Sequence, residues 1–323
     1  MTRFGFHASH EQIAPGALLR HVRRAQEVGF AAAMCSDHFA PFGTVQGQSG
    51  HAWPWLGSAL AVTEFPIGVV TAPGQRYHPA IVAQAAATLT EMFPDRFWMA
   101  VGSGQALNEH ITGERWPPKP ERNARLRESV EIIRELFDGG CVTHRGRVTV
   151  DRAMLYTRPA KPPPIIGAAV SAETARWVGG WADGLITINQ PVDQLRPVIE
   201  AFRDGGGKGK PVRLQVHLSW ARDEETALRL AYEQWRPAIL GSGIGWDLAM
   251  PEDFEQATAY VRPDDLRTHV LVAADPARHA QWLREYADLG VDEIFLHHVG
   301  RDQEEFLDVF GTEVLPELKR QLS

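Results

Sequence analysis

Cysteine is nearly absent. The 323 residues contain only Cys35 and Cys141, too few for a disulfide framework and without metal-ligand spacing. No HxxH or HExxH pattern occurs either, so the thirteen histidines form no recognisable metal motif and no metal is expected. Basic residues are outnumbered, 33 against 40 acidic, and no Lys/Arg run stands out; the net charge of −7 argues against a nucleic-acid partner. No apolar run approaches the ~20 residues of a membrane span. The opening "MTRFGFHASHEQ" has no export pattern. A "GxGxxG" after the first strand is also lacking, which disfavours a dinucleotide-binding fold. What these absences leave is a cytoplasmic enzyme acting on a small molecule, with no nucleic-acid and no membrane partner.

What is present alternates. Short apolar runs at 4–8, 31–39, 65–73, 96–102, 162–171, 182–189, 212–220 and 292–300 read as strands. Most are separated by helical stretches such as 15–28, where Leu18, Leu19, Val22, Ala25 and Val28 recur at helical spacing. Eight strands so separated predict an α/β fold, a closed (β/α)₈ barrel, over 1–323 as one domain. The stretches 39–55 and 240–261 are too long and mixed for tight connections and read as insertions. The run "GGGKGK" at 205–210 lacks Walker spacing and reads as a flexible loop before the seventh strand.

In such a barrel the working residues sit at the C-terminal strand ends. Those ends are polar here: His7, Asp37-His38, Ser103-Gly104-Gln105, Asn189-Gln190 and His297-His298. A single histidine in such a place is usually a core residue bonded to a carbonyl. Several on one barrel face point to a site for His7 and His38, less so for His298, because neighbours on a strand point opposite ways. Imidazole titrates near neutrality, so His38 is suited to take a proton from a substrate hydroxyl. The segment "PPPIIGAAVSAETARW" places Gly167, Ala168, Ala169 and Ser171 between a strand and a helix. It reads equally as a phosphate site at a helix N-terminus or as an ordinary turn capped by Ser171. Gly102-Ser103-Gly104 carries the same ambiguity.

The motifs "SDHF" (36–39), "RYHPA" (76–80), "VGSGQALNE" (101–109), "ARLRES" (124–129) and "ADG" (182–184) resemble those of the luciferase-like flavin and deazaflavin oxidoreductases. The chain is similar to the branch of glucose-6-phosphate dehydrogenases that use coenzyme F420 and to its FMN-dependent, "non-F420 flavinoid" relatives. The resemblance implies a barrel with insertions and a homodimer. It places the cofactor ring in the barrel mouth and the cofactor phosphate near Gly167, Ala168, Ala169 and Ser171. It makes His38 the base and puts Asp37 beside the ring. Asn108 becomes a ring contact, with Ser103 and Gly104 next to it, and Glu11 matches an N-terminal "S-x-E-Q" pattern. A non-prolyl cis peptide at the end of the third strand falls nearest to Val69–Val70.

Departures from that family limit what is carried over. Where the dehydrogenases have an acidic Glu, this chain has Gln105, an amide that cannot deliver a proton. Their reaction-centre Trp is matched by Phe42. Two phosphate-gripping lysines fall near Pro191 and Thr268, so a phosphorylated sugar loses contacts worth roughly 1.5–3 kcal/mol each. Trp53, Trp55, Trp116, Trp220 and Trp246 are available to line an apolar or neutral-sugar pocket. The expected function is hydride transfer between FMN or F420 and a non-phosphorylated organic substrate, with the acidic net charge leaning toward FMN. The alternatives are an FMN-dependent monooxygenase and a non-catalytic cofactor-binding protein.

Overall fold

The computed structural model describes residues 2–322. Eight parallel strands form the barrel: β1 (Arg3–Ala8), β2 (Ala32–Ser36), β3 (Ile67–Thr71), β4 (Phe97–Val101), β5 (Ile165–Ala168), β6 (Gly184–Ile188), β7 (Val212–Ser219) and β8 (Glu293–His298). Each pairs with its neighbour in chain order and β8 returns to β1, which closes the barrel, while a two-residue strand, Leu271–Val272, adds beside the end of β7. All eight anticipated strands are present. Their near-continuous apolar character follows from burial on both faces, by helices outside and by packed side chains within.

Alternation along each strand separates these two faces. Phe4, Phe6 and Ala8 pack outward against the helices, while Ala32, Met34, Trp98, Ala100, Ile166, Ile186 and Phe295 fill the interior. Trp98 and Phe295 meet with ring centroids 5.6 Å apart, occupying the room left by Gly68 and Gly5. At the N-terminal end of the barrel, the Arg213 guanidinium lies 4.6 Å over the Trp98 ring and pairs with Glu293, which Arg3 also reaches. This floor is closed.

Two elements differ from expectation. An antiparallel hairpin, Val142–Arg145 with Thr149–Ala153, stands between β4 and β5 and was not foreseen. The "GGGKGK" stretch is a loop only in part: Gly205–Gly207 close off the helix Val192–Phe202, with Gly206 leaving helical geometry at φ of +108° and Gly205 pressed on the backbone of Arg176, while 208–210 turn into β7. The first insertion ends where the helix Ala52–Val62 begins, and the second holds the short helix Pro251–Ala257. The two insertions clasp one another, since Glu255 Oε1 accepts from both the backbone N–H (2.8 Å) and the hydroxyl of Thr44 (2.5 Å). Among the described residues no helix is long and apolar enough to cross a membrane.

Candidate active site

The mouth at the C-terminal strand ends is built around two turns. After β1, Ser9 donates to Glu11 Oε2 at 2.8 Å, and Glu11 Oε1 lies 2.7 Å from His38 Nδ1 in the turn after β2. Burial opposes ionisation of Glu11, yet the adjacent His38 outweighs it, assisted by His7, and the carboxyl is held down at about 2. With Nδ1 in ion-pair contact with this carboxylate, Nε2 is the His38 atom left to accept a proton. Phe42 packs edge-on against the imidazole at 4.9 Å and is backed by Trp235 and Phe254. An aromatic wall thus holds the base in place.

Asp37 is held within the chain by three side chains. Its Oδ2 accepts from Thr71 at 2.9 Å and from the Trp53 indole at 3.2 Å, and its Oδ1 from Tyr77 at 3.2 Å. Arg76 donates to the Asp37 backbone carbonyl at 2.7 Å and pairs with Glu109 at 3.7 Å. Such a saturated, enclosed carboxylate fixes the turn that carries His38. Glu109 is likewise enclosed, and burial raises its pKa despite Arg76.

The second turn follows β4. Asn108 Oδ1 accepts from the backbone N–H of Phe39 at 2.8 Å, joining this turn to the one bearing His38. Its amide nitrogen reaches Gln105 Oε1 at 3.3 Å. Asp37, His38, Gln105 and Asn108 therefore belong to one connected constellation. Gly104 is required by the turn itself, with φ of +83° and Glu109 3.0 Å from where a Cβ would stand. At Gly102 a Cβ would meet only Ala168 Cβ, at 3.7 Å, so packing does not demand glycine there. Trp246, from the second insertion, accepts the Ala106 N–H on its carbonyl at 2.9 Å and closes over this turn.

With this geometry established, likeness to known proteins is decisive. A family model described as luciferase-like monooxygenase matches residues 1–293. The chain belongs to that family. It is 36% identical, over 99% of its length and 98% of the relative's, to an F420-dependent glucose-6-phosphate dehydrogenase of Microbacterium testaceum. Among solved structures, an F420-dependent secondary alcohol dehydrogenase in complex with an F420-acetone adduct superposes with a TM-score of 0.92 at 30% identity, covering 98% of this chain and 99% of its own. A coenzyme F420 dependent tetrahydromethanopterin reductase from Methanopyrus kandleri shares the fold, with a TM-score of 0.76 at 20% identity over 98% and 99% of the two chains.

In this luciferase-like enzyme the turn after β5 precedes the helix Ala172–Gly179, and the Ser171 side chain accepts from the Thr174 N–H as its N-cap. The Ala169 N–H is already bonded to the Ile186 carbonyl, so it is not available to an anion. Gly167 faces outward: a Cβ there would stand 2.3 Å from Val178 Cγ1, and helix packing accounts for the glycine. Ala168 is the inward, half-buried member of this turn. The cis peptide expected near Val69–Val70 is absent, and no cis bond occurs among the described residues. Both valines lie in regular ladder register, opposite Met99 and Ala100 on one side and Cys35 and Ser36 on the other. Val69 packs outward and Val70 inward.

Of the five tryptophans, Trp55 and Trp220 are core residues, while Trp53, whose indole serves Asp37, Trp116 and Trp246 are half-buried. His298 stacks on Phe306 in the outer layer, and burial lowers its pKa to about 3. The inward cluster His7, His217 and His297 was only partly foreseen. The signal was the polar residue at alternate positions of "RLQVHLS" and the second histidine pair of "IFLHH".

Proposed function

We propose that this enzyme is an F420-dependent dehydrogenase that oxidises a hydroxyl-bearing carbon of a small, non-phosphorylated substrate. The observation that carries this reading is the His38–Glu11 pair, a half-buried imidazole with Nδ1 2.7 Å from a carboxylate and its other nitrogen unpaired. A bound deazaflavin supplies a hydride acceptor. His38 takes the hydroxyl proton, Glu11 orients the ring and stabilises the imidazolium that forms, and Phe42 keeps water from its flank. Half-buried Val70, Gly102, Ser103 and Ala168 leave a small, neutral wall suited to the face of a flat heteroaromatic ring. Full-length likeness to F420-dependent dehydrogenases supports the deazaflavin and outweighs the lean toward FMN drawn from net charge.

The phosphate-free substrate rests on the opposite wall. Asn189 donates to the His269 carbonyl at 3.2 Å, so the turns holding Pro191 and Thr268 adjoin. Neither residue is cationic, and neighbouring Arg267 is engaged with Glu224 and Asp264. For the test, F420 reduction is followed by absorbance, without oxygen, in wild type and His38→Ala. The variant should lose ~10²–10⁴-fold in kcat while binding F420 as before. Wild type that is inert with F420 but turns over with FMN and oxygen would establish the monooxygenase instead.

A further inference from the structure

The inward residues of β7 are Arg213, Gln215 and His217, since Arg213 lies over Trp98 inside the barrel and alternate residues share a face. In register, Gln215 stands beside Ile188 of β6, which is 37% exposed, so this is an open part of the mouth. The Gln215 amide nitrogen lies 3.1 Å from His297 Nδ1 and 3.2 Å from His217 Nε2. Which way round that amide sits can be settled from two backbone groups whose roles cannot change.

The first is the Val299 carbonyl, an obligatory acceptor. Gln12 Nε2 donates to it at 2.5 Å, so Gln12 Oε1 is the atom 3.0 Å from His297 Nε2. His297 must carry its proton on Nε2 and present a bare Nδ1. The second is the His217 backbone N–H, an obligatory donor to Asn189 Oδ1 at 2.9 Å. That same oxygen is 3.1 Å from His217 Nδ1, which therefore carries the proton and leaves Nε2 bare. Two bare ring nitrogens thus converge on Gln215, and only its NH₂ satisfies both. Burial favours the neutral form of each ring, lowering His217 to about 3 and His297 well below its ordinary value. Among the described residues Gln215 Oε1 has no partner, and it is not one of the enclosed, unpaired polar atoms.

We propose that Gln215 is a specificity-determining residue whose side-chain carbonyl, locked in orientation by His217 and His297, accepts a hydrogen bond from an O–H or N–H donor of a bound ligand. The donor is a hydroxyl of the substrate or the imide N–H of the cofactor ring. A carboxylate or phosphate presented to this oxygen is repelled, in keeping with the uncharged substrate proposed above, on which the choice of ligand rests. The lock itself does not depend on it.

Two measurements test this. In ¹⁵N-labelled protein without cofactor at neutral pH, two-bond ¹H–¹⁵N spectra should show His217 protonated at Nδ1 and His297 at Nε2. The opposite tautomer at either ring, or an imidazolium, overturns the lock. Gln215→Leu is then titrated with F420 and assayed with 2-propanol, cyclohexanol and D-glucose as hydride donors. A loss of about three- to tenfold in F420 affinity identifies the imide. The same loss in kcat/KM at unchanged F420 affinity identifies the substrate hydroxyl. No change in either overturns the proposal. If that variant does not fold, isosteric Gln215→Glu should draw a proton onto one of the two imidazoles, seen in the same spectra, and unchanged neutral rings overturn it. Wild type that neither binds nor reduces F420 refutes the functional reading alone, because the tautomer spectra still judge Gln215.

Discussion

Glu11 ties the chemistry of the site to its stability. Its carboxyl titrates at about 2 in the fold, against an ordinary 4.5, so the folded state favours the charge. A depressed carboxylate pKa contributes stability that is complete above the ordinary value and lost as pH falls through the folded one. Denaturant midpoints of wild type should therefore drop between pH ~4.5 and ~2 more steeply than those of Glu11→Gln; parallel curves would contradict the pairing with His38. At Gln105 the expectation is different. The side chain accepts from Asn108, a role glutamate also fills, so Gln105→Glu should fold normally. With the ring bound as proposed, the change would set a carboxylate beside an electron-rich reduced cofactor, and the rate should fall. A gain of ~10²–10⁴ with a new acidic pKa would instead mean that a proton donor belongs there.

Between elements, two glycines that look alike in sequence part company. Gly167→Ala forces a methyl to within 2.3 Å of Val178, between β5 and its helix. It should cost about 1–3 kcal/mol of stability, read from unfolding curves. Gly102→Ala meets nothing closer than 3.7 Å, so stability should hold while cofactor affinity falls. The reverse ordering would show that the β5 turn, not the β4 turn, receives the ring. The eight strands were legible because strands buried on both faces read as unbroken apolar runs. The hairpin Val142–Arg145 with Thr149–Ala153 was not, since it shows one thin apolar edge among polar residues. Asp37 was legible as important, but its bonds within the chain were not. Trp53, Thr71 and Tyr77, which saturate its carboxylate, lie 16 to 40 residues further along the chain. Periodicity cannot reveal such partners. The tautomers of His217 and His297 were equally hidden, because they depend on backbone groups brought in by folding.

For the whole molecule, architecture divides labour between the barrel's two ends. The C-terminal end carries loops, insertions and half-buried polar groups. The N-terminal end holds the buried pair Arg213 and Glu293 beneath Trp98 and Phe295, with the half-exposed Arg3 reaching Glu293 from outside. Breaking that ion pair from one side would strand a charge in the interior, which costs more than the pair contributes. The clasp between Thr44 and Glu255 narrows the other end further. With one end sealed, everything that reacts here shares a single doorway. A ring bound along the inner wall, as proposed, would be overlaid by whatever binds next, so it would arrive first and depart last. Initial-rate and product-inhibition patterns should accordingly be those of an ordered sequential mechanism, with oxidised and reduced cofactor competing with each other and the organic product noncompetitive against the cofactor. Random-order patterns would mean that traffic finds a second way through. The plugged floor thus reaches beyond stability: it makes the barrel a cul-de-sac, and the order of its visitors is written into a dead end.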